Sequence, residues 1–218
     1  MKTNSQLHSD VRMELAWDPR VEDREINVAA TDGVATLTGS VPSYAVKMAA
    51  ERATERVFGV KAVANDLVVV VPGIHQRSDT DIAHAVVDAL VWDVQVPDTK
   101  VKAAVTNGWI TLEGDVEWRY QRDAAARAVR NLAGVRGVTN HITIAAKRVA
   151  SQDVSKSIRD ALERRADRTS GRIHVETVGG VVTLTGNVPS FGDRRAAEGA
   201  AWSSPGVTDV HDELAITV

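Results

Sequence analysis

The chain has 218 residues, a net charge of −3, 44% hydrophobic residues and no cysteine. These are the values of an ordinary globular protein, and none of its parts is basic enough to indicate nucleic-acid binding. The absence of cysteine excludes disulfides and thiol chemistry, and no run of about 18 apolar residues predicts a transmembrane segment.

The N-terminal residues, Met1 to Asp10, show neither the apolar core nor the small-residue cleavage site of an export signal. We therefore expect a cytoplasmic protein. If an export signal has been trimmed from the chain, we expect a periplasmic one instead.

One heptapeptide occurs three times, each time directly after a turn-forming residue: Asp32, Asn107 or Gly179. Asp-Gly, Asn-Gly and Gly-Gly supply the positive φ angles of a type I′ turn, so each heptapeptide is predicted to be the second strand of a hairpin. The constant spacing of the segments around it predicts three tandem units, 1–72, 73–146 and 147–218. The heptapeptides begin and end at Gly33 and Gly39, Gly108 and Gly114, and Gly180 and Gly186.

Each unit is predicted to open with a helix, because apolar residues recur every four positions ahead of the hairpin. A hydroxyl side chain near each start can accept a hydrogen bond from a free backbone N–H group. The predicted N-caps are Ser9, Thr80 and Ser151.

In the hairpin, apolar and polar residues alternate, which is typical of a sheet with one packed face and one open face. We expect Leu37, Leu112 and Leu184 on the packed face. The last glycine of each heptapeptide is predicted to end its strand.

A second, alanine-rich helix and a third strand complete each unit. Ser43 and Ser190 follow Val-Pro pairs and are predicted to cap two of these helices. A glycine near the end of each helix is predicted to be a left-handed C-cap. These glycines are Gly59, Gly134 and Gly206. The order in each unit is therefore α-β-β-α-β, an α+β fold.

The third segment begins with Gly-Val and ends in Asn65, Asn140 or Asp212. Together with the Gly-Val-x-Thr-Leu-x-Gly hairpin, this pattern resembles the BON domain, a bacterial family of osmotically induced periplasmic and nodulation-associated proteins. The resemblance covers nearly the whole chain as three copies. It implies that each unit is a three-stranded mixed sheet backed by two helices. It also implies a non-enzymatic, transport-associated module that binds phospholipid or other envelope surfaces in osmotic stress.

No catalytic or cofactor-binding pattern is visible. The six histidines lack the spacing of metal ligands. The glycines lie in hairpins rather than between a strand and a helix, where phosphate-binding loops lie. We therefore expect no metal, no cofactor and no enzyme activity.

Four tryptophans are candidates for an interface: Trp17, Trp92, Trp109 and Trp118. Trp17 and Trp92 take the same place in two units, and Trp109 is predicted on the open sheet face. Local packing over helix ends explains such residues. Contact between units, with a partner or with a membrane interface is the functional alternative.

The first helix of the third unit is rich in arginine, which suits an anionic surface. The candidate residues are Arg159, Arg164, Arg165 and Arg168. Acidic residues interleave with them, so a solvated helix with internal ion pairs is the other interpretation.

The sequence therefore predicts a non-catalytic binding or scaffolding protein of three BON-like modules, with a role in osmotic or general stress. Its expected partners are a phospholipid surface or another protein, and not nucleic acid. The alternative is a cytoplasmic homo-oligomer that assembles through open sheet faces and tryptophan contacts without binding lipid.

Overall fold

The computed structural model describes residues 2–145, 151–165 and 173–217, with residues 163–165 described by their backbone alone. Within these ranges the same five elements occur three times. In the first repeat they are α1 (Asn4–Trp17), β1 (Ile26–Thr31), β2 (Val34–Val41), α2 (Tyr44–Arg56) and β3 (Ala62–Val69). In the second repeat they are α3 (Asp79–Trp92), β4 (Val101–Thr106), β5 (Trp109–Val116), α4 (Arg119–Val129) and β6 (Gly137–Ile144). In the third repeat they are α5 (Ser151–Arg165), β7 (Ile173–Val178), β8 (Val181–Val188), α6 (Phe191–Trp202) and β9 (Asp209–Ile216).

Each repeat contains a mixed three-stranded sheet whose central strand is the heptapeptide strand, in the orders β1-β2-β3, β4-β5-β6 and β7-β8-β9. The hairpin pairs β1 with β2 antiparallel, and β3 then lies parallel to β2. A parallel neighbour requires a crossover connection, which α2 supplies. The predicted α+β fold, with three α-β-β-α-β repeats and mixed sheets, is confirmed.

The hairpin turns have the predicted conformation. Both central residues of the first two turns have positive φ: 51° and 89° at Asp32 and Gly33, and 52° and 76° at Asn107 and Gly108. Asp and Asn adopt this conformation at low cost, and glycine at none. Paired positive φ angles define the type I′ turn, whose twist matches that of the two strands.

The last glycine of the heptapeptide does not end its strand, contrary to the prediction. The strand continues for two residues beyond Gly39, to Val41, and the other repeats behave alike. Gly39 has a φ of +120°, and a Cβ at this position would lie 1.9 Å from the carbonyl oxygen of Glu25. The glycine therefore permits a close backbone approach inside the strand.

The helix ends also differ from the predictions. The first helix begins after Thr3, whose hydroxyl accepts from the backbone of Gln6, and the third begins after Ser78 in the same way. Ser9 and Thr80 are helical residues instead, because α1 and α3 extend further towards the N-terminus. Ser151 is the first residue of α5, and the residues before it lie outside the described ranges, so its role as a cap stays a prediction. Ser43 and Ser190 do cap their helices.

The glycines predicted as C-caps lie in the turns that follow the second helices. Gly59 lies three positions after the end of α2, Gly134 five positions after α4, and Gly206 four positions after α6. All three have the predicted positive φ, between 87° and 98°. They belong to the turn that leads into the third strand.

The core of each repeat lies between its sheet and its two helices. Leu37, Leu112 and Leu184 are fully buried, as predicted. In the third repeat, Leu184 belongs to one core cluster with Ile158 of α5 and Ala200 of α6. The chain divides into two compact units, one of Met1–Asp115 with Tyr120–Ile142, and one of Val116–Arg119 with Thr143–Val218.

Candidate functional site

The helix α3 has an exposed apolar surface. Ile82, Val86 and Leu90 face the core. Ser78 caps the helix: its hydroxyl accepts from the Asp81 backbone N–H, and the Asp81 carboxylate accepts from the Ser78 backbone N–H. On the outer side, Val87 and Val91 are one turn apart and both exposed. Trp92 and Val94 follow at the end of the helix and are exposed as well. We call Val87, Val91, Trp92 and Val94 the α3 surface.

The charges on α3 are all negative. Its sequence contains Asp79, Asp81 and Asp88 and neither lysine nor arginine. The α3 surface is therefore an apolar patch without the cations that attract helices to anionic membranes. For any partner that binds at the α3 surface, the favourable free energy must come from the burial of apolar area.

The other repeats do not present this stripe. In α1, the positions of Val87 and Val91 are taken by Arg12 and Ala16, and in α5 the position of Val87 is taken by Arg159. The fold itself therefore does not require apolar residues on this outer face. The stripe is specific to the second repeat.

Trp17 and Trp92 end the first helix of their repeats, and each is 84% exposed. Packing over the helix end does not account for them, because almost none of either ring is covered. Met13, one turn before Trp17, is exposed too. That these two tryptophans form an interface stays a prediction, and their exposure makes both available for one.

Trp109 has a different environment, since it is 49% exposed and partly covered by its own repeat. Its indole nitrogen donates to the Thr139 hydroxyl at 2.8 Å. The ring lies against Gly137, where no side chain competes for the space. The prediction that Trp109 lies away from the core is confirmed. The contact of its ring with β6 was not predicted.

Trp118 immediately precedes α4, as expected, and is 38% exposed. The fifth tryptophan, Trp202, did not stand out in the sequence. In the second compact unit, the Arg119 guanidinium lies 4.5 Å from the centre of the Trp202 ring, and the indole nitrogen donates to Glu198. The spacing of Glu198 and Trp202, one helical turn, was the available signal.

Of the four arginines proposed for an anionic surface, the structure describes the side chain of Arg159. It is exposed, and its Nε donates to the backbone carbonyl of Ser155 at 3.2 Å. The side chains of Arg164 and Arg165, and Arg168 as a whole, lie outside the described residues. Their role therefore stays a prediction.

The nine motif glycines all have φ angles between 76° and 140°. They shape turns and close backbone contacts. Within the described ranges, no group of three or more His, Cys, Asp or Glu side chains is placed to hold a metal ion. No helix in the same ranges is long and apolar enough to cross a membrane.

Comparison with known proteins agrees with the repeated architecture. Among curated proteins, osmotically-inducible protein Y of Escherichia coli (strain K12) is 28% identical over 145 residues, which is 64% of this chain and 71% of the relative.

Among solved structures, the C-terminal domain of CdsD, a structural protein of the type III secretion system of Chlamydia trachomatis, is 14% identical. That alignment covers 100% of both chains with a TM-score of 0.28. The PrgH periplasmic domain is 9% identical over 89% of this chain and 96% of its own, with a TM-score of 0.22. Both scores are below 0.5, so these likenesses support no conclusion about function.

The family model of the BON domain matches three consecutive segments: residues 3–71, 78–146 and 150–218. These segments contain the three α-β-β-α-β repeats of the structure. The chain therefore belongs to the BON domain family and contains three copies of the domain.

Proposed function

We propose that this protein is a non-catalytic binding and scaffolding protein that docks on phospholipid surfaces through the α3 surface. The exposed pair Val87 and Val91, followed by Trp92, carries this proposal. Aliphatic side chains on one helix face can enter the acyl boundary of a bilayer. A tryptophan at the edge prefers the headgroup region, where its ring is apolar and its N–H can be hydrated.

The negative charge of α3 indicates that this helix does not require anionic lipid for binding. With three aspartates and no cation on the helix, attraction to anionic headgroups does not contribute at this surface. Binding through α3 should therefore depend weakly on salt and on the fraction of anionic lipid. Among the four arginines proposed for an anionic surface, Arg159 on α5 is exposed and could supply an attraction of that kind.

The physiological setting we propose is osmotic or general stress at the cell envelope. It rests on membership of the BON family and on a relative named as osmotically inducible. The envelope has a cytoplasmic and a periplasmic side, and cell fractionation of the native protein tests which side it occupies.

A second candidate is self-association through the same surface. Two valines one turn apart on a helix without basic residues also suit the packing of α3 against α3 of another copy. Such a contact would bury Val87 and Val91 on both chains. It would bring the aspartates of the two α3 helices close together. Because salt screens the repulsion between them, this association should strengthen as salt is added.

The two candidates are separated by vesicle co-sedimentation and light scattering of the same variants. Val87→Ser with Val91→Ser removes the stripe, and Trp92→Ala removes the ring. Val68→Ser with Val70→Ser is the matched control, because Val68 in β3 and Val70 just after it are as exposed as Val87 and Val91. All substituted positions are exposed, so the repeats should stay folded.

We expect both α3 variants to weaken binding to phosphatidylcholine vesicles by about tenfold or more, whereas the control should bind like the parent. Equal vesicle binding by all variants would exclude the α3 surface as the lipid contact. Loss of a dimer in light scattering from the α3 variants alone, without vesicle binding by the parent, would establish self-association instead.

A further inference from the structure

A cavity of about 330 Å³ lies within the first compact unit, lined by residues of the first two repeats. Three arginines contribute to its lining: Arg20 after α1, Arg52 on α2 and Arg130 directly after α4. Asn131 adds an amide, and the remaining lining residues are apolar side chains of α2, among them Met48. None of the described residues that line this cavity is acidic.

The three guanidinium groups are not equivalent. Arg20 already binds a carboxylate, with its Nε 2.9 Å from Oδ1 of Asp18 and its Nη2 2.7 Å from Oδ2. Its positive charge is thus compensated within the protein. Arg52 and Arg130 are partly buried and bring two further positive charges to the same cavity.

The surroundings of Arg130 are electrostatically unfavourable for a cation. Burial lowers its pKa most, and the nearby charges of Arg52 and Arg127 lower it further. The phenol of Tyr44 acts in the opposite direction, and no carboxylate is among the groups that shift this pKa. An anion in the cavity would relieve the repulsion between the guanidinium groups.

The fold does not require this cluster. In the second repeat the place of Arg20 is taken by Gln95, and in the first repeat the place of Arg130 is taken by Glu55. Two of the three arginines, Arg20 and Arg130, therefore lie at positions that carry other residues in the neighbouring copy, whereas Arg52 corresponds to Arg127. A structural need shared by the repeats would not explain the arginines at positions 20 and 130.

The geometry points to an oxyanion site in which Arg52 and Arg130 bind a phosphate group, while the apolar side of α2 contacts the organic part of a phosphate ester. Guanidinium forks suit phosphate oxygens because each fork can donate two parallel hydrogen bonds. A volume of about 330 Å³ is at the small end of ligand pockets, which suits a compact ester. The site is separate from the α3 surface and does not depend on its function.

The probes are inorganic phosphate, glycerol phosphate and phosphatidylglycerol vesicles, each compared with chloride at equal ionic strength. Binding is measured on the full chain by calorimetry and by the rise of the melting temperature with ligand concentration. The variants are Arg52→Gln and Arg130→Gln, with Arg130→Lys to keep the charge while losing the fork. Arg12→Gln is the matched control, since it removes one exposed arginine of the same compact unit.

We expect saturable binding of glycerol phosphate that falls by at least about tenfold in Arg52→Gln and Arg130→Gln, and less in Arg130→Lys. The control should stay within about twofold of the parent, since a distant exposed charge contributes little. Absence of saturable phosphate binding, or equal weakening in the control, would overturn the site. Vesicle binding that needs Arg130 identifies a lipid headgroup as the phosphate source, whereas vesicle binding that does not need it identifies a free ester.

Discussion

The indole ring of Trp109 occupies the space in which Gly137 would carry a side chain. An ideal Cβ on Gly137 would lie 2.4 Å from Cζ3 and 2.5 Å from Cε3 of the ring. The corresponding register partners are Val34 with Ala62 in the first repeat and Val181 with Asp209 in the third. A large residue on one strand is thus matched by the absence of a side chain on its neighbour.

Gly137→Ala should destabilise the second repeat, because the ring must move or lose its bond to Thr139. We expect a loss of about 1–3 kcal/mol in the free energy of unfolding, the usual cost of inserting a methyl group into a packed contact. Urea unfolding followed by tryptophan fluorescence measures it.

The double variant Trp109→Val with Gly137→Ala reproduces the pair found in the first repeat. It should be more stable than Gly137→Ala alone, since the clash is gone and alanine suits a strand better than glycine. If the double variant is as unstable as the sum of its single variants, Trp109 and Gly137 are not coupled.

Gly39→Ala should unfold the first repeat or cost more than about 3 kcal/mol, because positive φ and a backbone clash act together. The Cβ would lie 1.9 Å from the Glu25 carbonyl oxygen, and a backbone atom cannot swing aside as a side chain does. Gly73→Ala is the control, since a Cβ there meets nothing within 4 Å. Thermal melting followed by circular dichroism compares the two, and equal melting temperatures would contradict the close backbone approach described at Gly39.

Gly179→Asn should leave stability unchanged or raise it by about 0.5 kcal/mol, because asparagine tolerates positive φ and restricts the unfolded chain. Gly179 has a φ of 58°, close to the 52° of Asn107 in the second repeat, and a Cβ there would be free of contacts. Gly180→Asn should be destabilising instead, since its Cβ would lie 2.8 Å from the Gly206 carbonyl oxygen. The melting temperatures of the two variants should therefore move apart.

The carboxylate of Asp18 should contribute to stability in a pH-dependent way. Its side chain is 3% exposed and is covered by Arg20 and Arg56, which are themselves about half exposed. Hydrogen bonds from Arg20 lower its pKa most, burial opposes them, and Arg56 lowers it further. Since the pKa is lower in the folded state, the contribution is complete above about pH 5 and is lost as the pH falls below about 4.

Asp18→Asn should therefore lower the free energy of unfolding by about 1–2 kcal/mol at pH 7, a moderate value because solvent reaches both arginines. The difference from the parent should shrink in urea titrations at pH 3. Asp93→Asn is the control, since Asp93 accepts from the Gln95 backbone at the equivalent position, where the neighbouring side chain is uncharged. A constant difference between parent and Asp18→Asn at all pH values would contradict the assigned ionisation.

The sequence predicted the repeats well because turn chemistry is local. Asp32 with Gly33 determines a type I′ turn whatever surrounds it, and strand alternation then places Leu37 inside. The helix starts were less predictable, since several hydroxyl residues near a start can act as caps. Thr3 and Ser78 act as the caps because a side chain three positions later, that of Gln6 or Asp81, accepts from the backbone N–H of the cap residue.

The candidate sites depended on information that periodicity does not contain. The contact of Trp109 with Gly137 joins strands 28 residues apart, and a size difference between repeats was its only signal in the sequence. The cavity of Arg52 and Arg130 combines residues of two repeats, so no analysis of one repeat could assemble it. The exposed valines of α3 were visible as apolar residues, but their outward direction depended on which face the core takes.

The parallel pairing inside each repeat has a consequence for synthesis. Val34 pairs with Ala62 and Val41 with Val69, and in the third repeat Val181 pairs with Asp209, so these partners are always 28 positions apart. A sheet is thus complete once its own repeat, about 70 residues, has left the ribosome, a matter of several seconds at ordinary elongation rates. None of the strands that the structure describes pairs with a strand of a later copy. Duplication or deletion of a whole copy in the gene would leave every remaining strand with its partner. The number of repeats in such a protein can therefore change without disrupting any sheet.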